Sequence, residues 1–165
     1  MKIIIRLVLL AAFIALGVWL WGILFPSPEK IIRKRLAEVA SAASFAPNEG
    51  DLTRMVNVTA LAGYFSSDAQ VSLDAPGRER HEISGRDEIT KVAMAARSTL
   101  SSLKVEFLDM NVSVSPDKQS ATVDLTAKAD TATEKNFVVQ EIKFVLKKID
   151  GEWFITRVET VHPLS

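Results

Sequence analysis

The chain contains no cysteine and only two histidines among its 165 residues. Without a thiol it can form no disulfide bond, and it cannot carry a lipid anchor on an N-terminal cysteine. The two histidines, His81 and His162, stand too far apart to supply a zinc site of familiar spacing. The composition therefore excludes a cysteine-linked lipid anchor and a zinc centre of the usual kinds.

Motifs of several enzyme and nucleic-acid-binding classes are also missing. No serine stands in a G-x-S-x-G context, and Gly85 is an isolated glycine before a helix rather than part of a phosphate-binding loop. Basic and acidic residues balance at 20 each, so no overall field attracts nucleic acid. The predicted strands lack the aromatic residues on which single-stranded bases stack. We expect no cofactor, no metal and no nucleic-acid partner.

The N-terminus holds a long apolar run. Leu7–Phe25 includes no charge over 19 positions. At about 1.5 Å per residue, a helix of this length nearly crosses a hydrocarbon core of roughly 30 Å. Trp19 and Trp21 suit the boundary between membrane and water. The run predicts a transmembrane helix, with residues 3–25 in the lipid bilayer and residues 1–27 forming an anchor and a short hinge.

A cleaved signal peptide is the alternative interpretation of this segment. Its apolar region is usually shorter, roughly 7–15 residues, and a small-residue cleavage site follows it. Here Pro26-Ser27-Pro28 follows the run, with no Ala-x-Ala beside it. These features favour an anchor that stays in the mature protein.

Basic residues on both sides of the run leave its orientation open. Lys2 and Arg6 precede it. Because positive charge favours the cytoplasmic side, the groups before and after the run nearly cancel. Hydrophobic N-terminal segments usually act as export signals, so we expect a single-pass protein of the cell membrane with a periplasmic domain; a cytoplasmic domain stays the alternative. The basic residues after the run are Lys30, Arg33, Lys34 and Arg35.

Three helices are predicted after the hinge. Ser27 can cap the first helix, and Pro28 suits its first position. The second helix follows Asn48 or Asp51, either of which can cap it, and the third follows Gly85. The residues expected to be buried recur at helical spacing. They are Ile32, Leu36, Val39, Ala40 and Ala43 in the first helix, Leu52, Met55, Val56, Thr59 and Ala62 in the second, and Ile89, Val92, Ala93 and Ala96 in the third.

Two short and four long strands are predicted. The short strands cover Ala69–Leu73 and Arg80–Ser84, with a turn at 74–77 between them. In the first long strand the apolar phase slips by one residue after Phe107, which predicts a β-bulge. Asp150-Gly151 is a strong hairpin signal before the last strand. Helices followed by a bent antiparallel sheet indicate an α+β domain.

Three segments carry a resemblance to a known family: Leu61–Val71, Ile83–Ile89 and Asp150–Ile155. In that order they are similar to a helix end with the first strand, the step into the third helix, and the terminal hairpin of nuclear transport factor 2-like domains. That family includes the SnoaL-like and ketosteroid isomerase-like proteins. The likeness covers about residues 28–161. It implies a cone-shaped, cystatin-like fold for residues 28–165, with three helices packed on a curved antiparallel sheet and a pocket inside the cone.

The resemblance implies that a ligand would lie inside this cone. As residues of the ligand pocket we expect Tyr64, His81, Asp109 and Trp153. Tyr64 is the only tyrosine of the chain, and it either packs in the core or forms a hydrogen bond in the pocket. His81 could act as an acid or a base, although its charged neighbours at 78–82 indicate an exposed edge.

Asp109 has two interpretations of its own. The isomerase branch of the family uses a carboxylic acid on a long strand, its pKa raised by an apolar site. The alternation of the strand instead turns Asp109 and Asn111 to solvent, and Asp124 also falls on a polar phase. No acid–base pair is therefore expected, and no catalytic residue is assigned. The inward residues of the first long strand would be Leu108, Met110, Val112 and Val114.

Two functions fit these observations. The first is a membrane-tethered, non-catalytic binding or scaffolding module that holds a partner protein or a small apolar ligand. Its layout resembles the membrane-anchored assembly component of type IV secretion, which implies an envelope protein partner, and the family often forms homodimers through the exposed sheet. The alternative is a small-molecule isomerase, dehydratase or hydrolase of the SnoaL-like kind. Buried ionisable residues within hydrogen-bond reach in the cone would favour the enzyme, and an aliphatic and aromatic pocket would favour binding.

Overall fold

The chain is described by a computed structural model, in which residues 10–20 form a helix, α1. Within the described residues, no helix combines the length and the apolar character that a membrane crossing requires. Both ends of the run Leu7–Phe25 lie outside the described residues, as do His162 and residues 75–77 of the turn predicted at 74–77. The described residues are 10–20, 26–74, 81–131 and 137–161.

Three further helices and six strands follow α1 in the described part of the chain. The helices are α2 (Pro28–Ala43), α3 (Asp51–Gly63) and α4 (Arg86–Thr99). The strands are β1 (Phe65–Leu73), β2 (His81–Ser84), β3 (Leu103–Val114), β4 (Ser120–Thr131), β5 (Val138–Ile149) and β6 (Glu152–Thr160). The α+β class and the order of elements agree with the sequence.

The six strands form one sheet in the order β2-β1-β6-β5-β4-β3. The neighbouring pairs are antiparallel except β1 and β6, which run parallel. The expected antiparallel sheet is therefore correct for the four long strands and wrong for the join between β1 and β6. The chain passes through α4 and four strands between β1 and β6, and a parallel pair needs a long connection of this kind.

Helix α2 forms as the sequence predicts. The Ser27 hydroxyl caps it by accepting a hydrogen bond from the Lys30 amide at 3.4 Å, and Pro28 occupies its first turn. The Arg33 guanidinium donates to the Met110 carbonyl at 2.8 Å, which joins the helix to β3. Of the expected stripe, Ala43 is only half-buried and the other four residues are buried: Ile32, Leu36, Val39 and Ala40.

Helix α3 turns a different face to the core from the one that the sequence predicts. Val58 is buried, and Ala62 is the only member of the predicted stripe that is buried. Leu52, Met55 and Val56 are 77%, 60% and 59% exposed, and Thr59 is exposed as well. Both sets are spaced three or four residues apart, so periodicity fits either face. The N-cap is also wrong, because Gly50 takes that position without a side-chain hydrogen bond.

The predicted bulge in β3 is present. The register with β4 shifts between Leu108 and Asn111, and Asp109 takes a left-handed conformation with φ 51°. Leu108, which was expected to face inward, is 45% exposed. The reason is that the bulge comes after Leu108, later in the strand than the apolar pattern suggests. The bulge bends the strand and adds to the curvature of the sheet around α2.

Two glycines allow turns that a side chain would strain. Gly85 precedes α4 with φ 83°, and a Cβ there would lie 3.2 Å from the Ser67 carbonyl oxygen. Its amide donates to the Ala69 carbonyl at 2.7 Å. Gly151 and Asp150, with φ 88° and 50°, form the predicted hairpin between β5 and β6.

Candidate ligand cavity

An apolar cavity of about 400 Å³ lies inside the cone. Helices α2, α3 and α4 and all six strands contribute to its wall. A volume of this size falls in the range of small-molecule sites, roughly 300–1,000 Å³. Its lining residues are Val39, Ala43, Leu61, Phe65, Val71, Leu73, Ile83, Ile89, Val92, Ala93, Ala96, Leu103, Val105, Phe107, Ala127, Ala129, Val138, Gln140, Ile142, Phe144 and Val158.

The cavity exists because small side chains stand where the core could hold larger ones. Close packing normally leaves few voids larger than a water molecule in a protein interior. Alanine contributes only a methyl group at five positions of this wall, on α2, α4 and β4. These positions are Ala43, Ala93, Ala96, Ala127 and Ala129.

Two lining residues mark the opening of the cavity. Val92 on α4 and Val138 on β5 are 41% and 47% exposed although both belong to the wall. Phe137, next to Val138 along the chain, is 59% exposed, and the Lys128 ammonium lies 5.0 Å from its ring centroid. An apolar molecule could therefore enter between α4 and the start of β5.

One polar side chain belongs to the described lining. Gln140 stands opposite Ala127 on β5, and its Nε2 donates a hydrogen bond to the carbonyl oxygen of Asp74 at the end of β1. The Asp74 amide donates to the Thr160 hydroxyl at 3.2 Å, so β1, β5 and the end of β6 are joined here. Gln140 thus has a structural contact and also faces the cavity.

Tyr64 and Trp153, which the sequence places in the pocket, are not part of this cavity wall. Trp153 is 2% exposed and packs in the core, and its carbonyl oxygen accepts a hydrogen bond from Arg35. Tyr64 packs on the core beside α2, with the Arg35 guanidinium 5.6 Å from its ring centroid. Burial and the charge of Glu38 raise the pKa of the Tyr64 hydroxyl, while Arg35 acts in the opposite sense.

Asp109 also lies outside the apolar cavity. It is exposed at the β-bulge and borders a separate depression on the outward face of the sheet, together with Asn111, Asp124 and Glu141. The solvent-facing interpretation therefore describes Asp109 and Asn111 better than the pocket interpretation. The physical reason is the bulge, which places Leu108 and Asp109 in succession on the outward side.

The two histidines give little further information about a site. His81 begins β2 and pairs with Leu73, a cavity residue, but only its backbone is described. His162 lies outside the described residues. Among the described residues, no group of three histidine, cysteine or acidic side chains is arranged to hold a metal ion.

A buried ion pair beside the cavity was not foreseen from the sequence. Arg97 follows the lining residue Ala96 on α4, and its guanidinium pairs with the Glu49 carboxylate; the two side chains are 2% and 9% exposed. The guanidinium also bonds to the Ala42 and Ser44 carbonyls. Arg97 lies eight residues after Ile89, on the same stripe of α4. This position on the apolar stripe was the sequence feature that could have predicted its burial.

Neighbouring groups complete the environment of this pair. The Phe45 ring centroid lies 4.8 Å from the Arg97 guanidinium, and Asn57 on α3 donates to Glu49 at 2.8 Å. Burial alone would raise the pKa of the Glu49 carboxyl, but hydrogen bonds from Arg97 and Asn57, with the positive charges of Arg97 and Arg54, hold it below its ordinary value. The pair joins α4 to the loop between α2 and α3.

Comparison with family models and with curated protein sequences gives no match. Among solved structures, the chain is similar to a cystatin-like domain of unknown function from Nostoc punctiforme, with 17% identity, a TM-score of 0.63, and 86% of this chain and 80% of that chain covered. It is also similar to two proteins from Novosphingobium aromaticivorans. One bears the provisional name scytalone dehydratase, with 18% identity, 81% and 84% coverage and a TM-score of 0.59. The other bears the provisional name aromatic ring hydroxylase, with 15% identity, 82% and 90% coverage and a TM-score of 0.58.

These similarities show the fold. The chain has the cystatin-like, nuclear transport factor 2-like fold with a curved sheet, as the sequence resemblance implies. Proteins with this fold have many unrelated functions, so function has to be inferred from the cavity and not from the fold.

Proposed function

We propose that the domain is a non-catalytic binding module that holds a small apolar ligand inside the cone. The observation that carries the proposal is the cavity of about 400 Å³, whose described wall is aliphatic and aromatic apart from Gln140. Each methylene group that moves from water into such a site contributes about 0.8 kcal/mol. A ligand of several such groups would therefore bind through burial alone, without a charged partner.

The side-chain chemistry of the cavity wall also distinguishes binding from the enzyme alternative. The names carried by the two Novosphingobium aromaticivorans structures keep a dehydratase or another SnoaL-like enzyme as the second candidate. Such chemistry needs a positioned acid or base at the ligand. Among the described lining residues the polar group is an amide, which neither donates nor accepts a proton in ordinary catalysis. This arrangement favours binding over turnover.

We further propose that residues 3–25 anchor the domain in a membrane, with the domain in the periplasm. The proposal rests on the uncharged run Leu7–Phe25 and on the two residues, Pro26 and Ser27, that separate it from α2. With so short a hinge the cavity would lie close to the bilayer, which is itself a source of apolar molecules. Reporter fusions at the C-terminus test the topology; activity of a cytoplasmic reporter alone would contradict it.

A homodimer through the sheet and an envelope protein partner stay predictions. The outward faces of β3 and β4 carry ion pairs, with Lys104 2.8 Å from Glu106 and Lys128 3.3 Å from Asp130. A partner on this surface would have to match alternating charge.

The absence of native cysteine allows a clean test of the homodimer. A single Thr122→Cys substitution places one thiol on the outward face of β4. If copies pair through this face, oxidation of the full chain in membranes will produce a cross-linked dimer. Lys91→Cys, on the exposed side of α4, is the control. Equal cross-linking of both variants, or none of Thr122→Cys, would argue against the sheet interface.

The experiment that tests ligand binding compares what the protein retains during purification. Wild-type full chain and an Ala127→Leu variant, which fills the cavity, are purified from membranes in parallel and extracted for mass spectrometry. We expect an apolar compound that is enriched with wild type and depleted with Ala127→Leu. Thr126→Leu, whose side chain lies on the other face of the same strand, is the matched control. Identical extracts from all three proteins would contradict the proposal.

A further inference from the structure

The chemistry of Gln140, the one polar residue of the described lining, restricts the ligand. Gln140 contributes one amide group to the cavity wall, whose other described residues are apolar. A side-chain amide offers a donor nitrogen and an acceptor oxygen, and its neighbours decide which atom faces which way. The orientation of Gln140 therefore sets what a bound molecule meets.

The Asp74 carbonyl fixes that orientation. A backbone carbonyl oxygen can only accept, so the atom of Gln140 that meets it must be the Nε2 donor. The Oε1 acceptor is then left, and no other described residue donates a hydrogen bond to it. An acceptor on an apolar wall favours a ligand that supplies a donor, because an unpaired polar group costs free energy once the ligand excludes water from it.

The described lining of the cavity includes no charged side chain that would compensate an anionic ligand. Lys128, near the opening, pairs with Glu106 at 3.8 Å and with Asp130 at 3.3 Å. Arg97 is the buried cation nearest along the chain to the wall, one residue after Ala96. Its guanidinium is committed to the Glu49 carboxylate and to the carbonyl oxygens of Ala42 and Ser44. A carboxylate in the cavity would lose its hydration without gaining an ion pair, which is strongly unfavourable.

We propose that the ligand is a neutral, largely apolar molecule with one hydroxyl group, which donates a hydrogen bond to Oε1 of Gln140. This inference rests on the proposed binding function. It disfavours fatty acid anions, although these have similar apolar chains, because the carboxylate has no proton to donate and meets no cation among the described lining residues.

Three probe molecules of similar length separate these chemistries. Decan-1-ol can donate a hydrogen bond, its isomer methyl nonyl ether can only accept one, and decanoate is ionised at a pH of about 8. Each is titrated against the full chain in nanodiscs loaded with the neutral fluorophore N-phenyl-1-naphthylamine, whose displacement is measured. Nanodiscs with the cavity-filling variant Ala127→Leu give the background from partition into lipid.

The expected order of affinity is alcohol, then ether, then carboxylate. One hydrogen bond to a neutral acceptor makes the alcohol bind about fivefold more tightly than the ether. The uncompensated charge weakens decanoate by at least about tenfold relative to the alcohol. Gln140→Leu is expected to abolish the difference between alcohol and ether, while both still displace the fluorophore.

The outcomes separate the inference from the function on which it rests. If the fluorophore binds but alcohol and ether compete equally with wild type, or decanoate competes best, the hydroxyl proposal is wrong and the binding function stands. If the fluorophore binds no better to wild type than to Ala127→Leu, the binding function itself fails and the inference falls with it. The comparison of alcohol with ether needs only wild-type protein, so it remains decisive even where Gln140→Leu fails to fold.

Discussion

Arg97 and Glu49 form an ion pair whose side chains are 2% and 9% exposed, between the last turn of α4 and the loop that leads into α3. Arg97 also benefits from its position at the helix C-terminus, where a positive charge is favoured. Since the pair bonds to backbone carbonyls at Ala42 and Ser44 as well, it holds the end of α2 beside one wall of the cavity.

Removal of one partner of this pair should destabilise the domain severely. Arg97→Met keeps much of the side-chain volume but leaves the Glu49 carboxylate buried beside Asn57 without its cation. We expect the free energy of unfolding to fall by about 3–5 kcal/mol, as for other broken buried pairs. Urea unfolding of the full chain in micelles, followed by circular dichroism, measures it. The double variant with Glu49→Gln should recover part of the loss; a loss no smaller than the sum of the two single variants would contradict the coupling.

The same pair predicts a loss of stability in acid. The folded pKa of Glu49 lies below its ordinary value of 4.5, so the unfolded chain takes up its proton first as the pH falls. The stabilisation is therefore complete above about pH 4.5 and disappears as the pH falls through the folded pKa. Glu49→Gln should show a shallower decrease of unfolding free energy over this range than wild type. Parallel pH profiles would show that Glu49 does not contribute.

Tyr64 should titrate at an unusually high pH. It is the only tyrosine, so an ultraviolet titration of the full chain reports it directly. Burial and the negative charge of Glu38 disfavour the phenolate, so its pKa should exceed the ordinary value of 10.0. Because the folded pKa is raised, the stability it contributes is present below pH 10 and is lost as the pH rises through the folded pKa. Ionisation at or below the ordinary value would place Tyr64 in solvent.

The two apolar faces of α3 should respond differently to truncation. Val58 is 2% exposed, so Val58→Ala should cost about 2 kcal/mol of unfolding free energy. Leu52 is 77% exposed, and Leu52→Ala should change it by no more than about 0.5 kcal/mol although it removes more atoms. Chemical unfolding of the two variants side by side measures both. The reverse order would mean that the face predicted from the sequence is the buried one.

The features that the sequence predicted correctly depend on local chemistry. The Ser27 cap, the Asp150-Gly151 turn and the bulge near Asp109 each follow from a few neighbouring residues. The buried face of α3 could not be predicted this way, because the Val58 stripe and the Leu52 stripe have the same spacing. The choice between them depends on contacts with distant elements, such as that of Asn57 with Glu49.

The cavity was predictable only as a consequence of the fold resemblance. Its alanines, among them Ala93 and Ala127, are common in any helix or strand and carry no signal that space is left beside them. The expected pocket residues Tyr64, Asp109 and Trp153 were chosen for their chemistry, whereas this cavity is defined mainly by residues without reactive groups. Only the position of Gln140 on the inward phase of β5 offered a polar clue.

Filling the cavity should make the fold more stable. Ala127 faces the cavity, so the larger side chain of Ala127→Leu enters space that is otherwise empty. Such cavity-filling substitutions commonly add about 0.5–2 kcal/mol of unfolding free energy. In a close-packed core the same change would instead cost about 1–3 kcal/mol. Thermal unfolding of Ala127→Leu beside wild type measures the sign, and destabilisation would contradict a cavity at this position.

The most direct measurement of the central claim is a fluorescence titration of the full chain in nanodiscs with N-phenyl-1-naphthylamine. Wild type and Thr126→Leu should show the same saturable binding. Ala127→Leu should bind about tenfold more weakly, or about 1.4 kcal/mol. Equal binding by all three proteins, or no saturable binding by wild type, would show that the cone does not hold an apolar ligand.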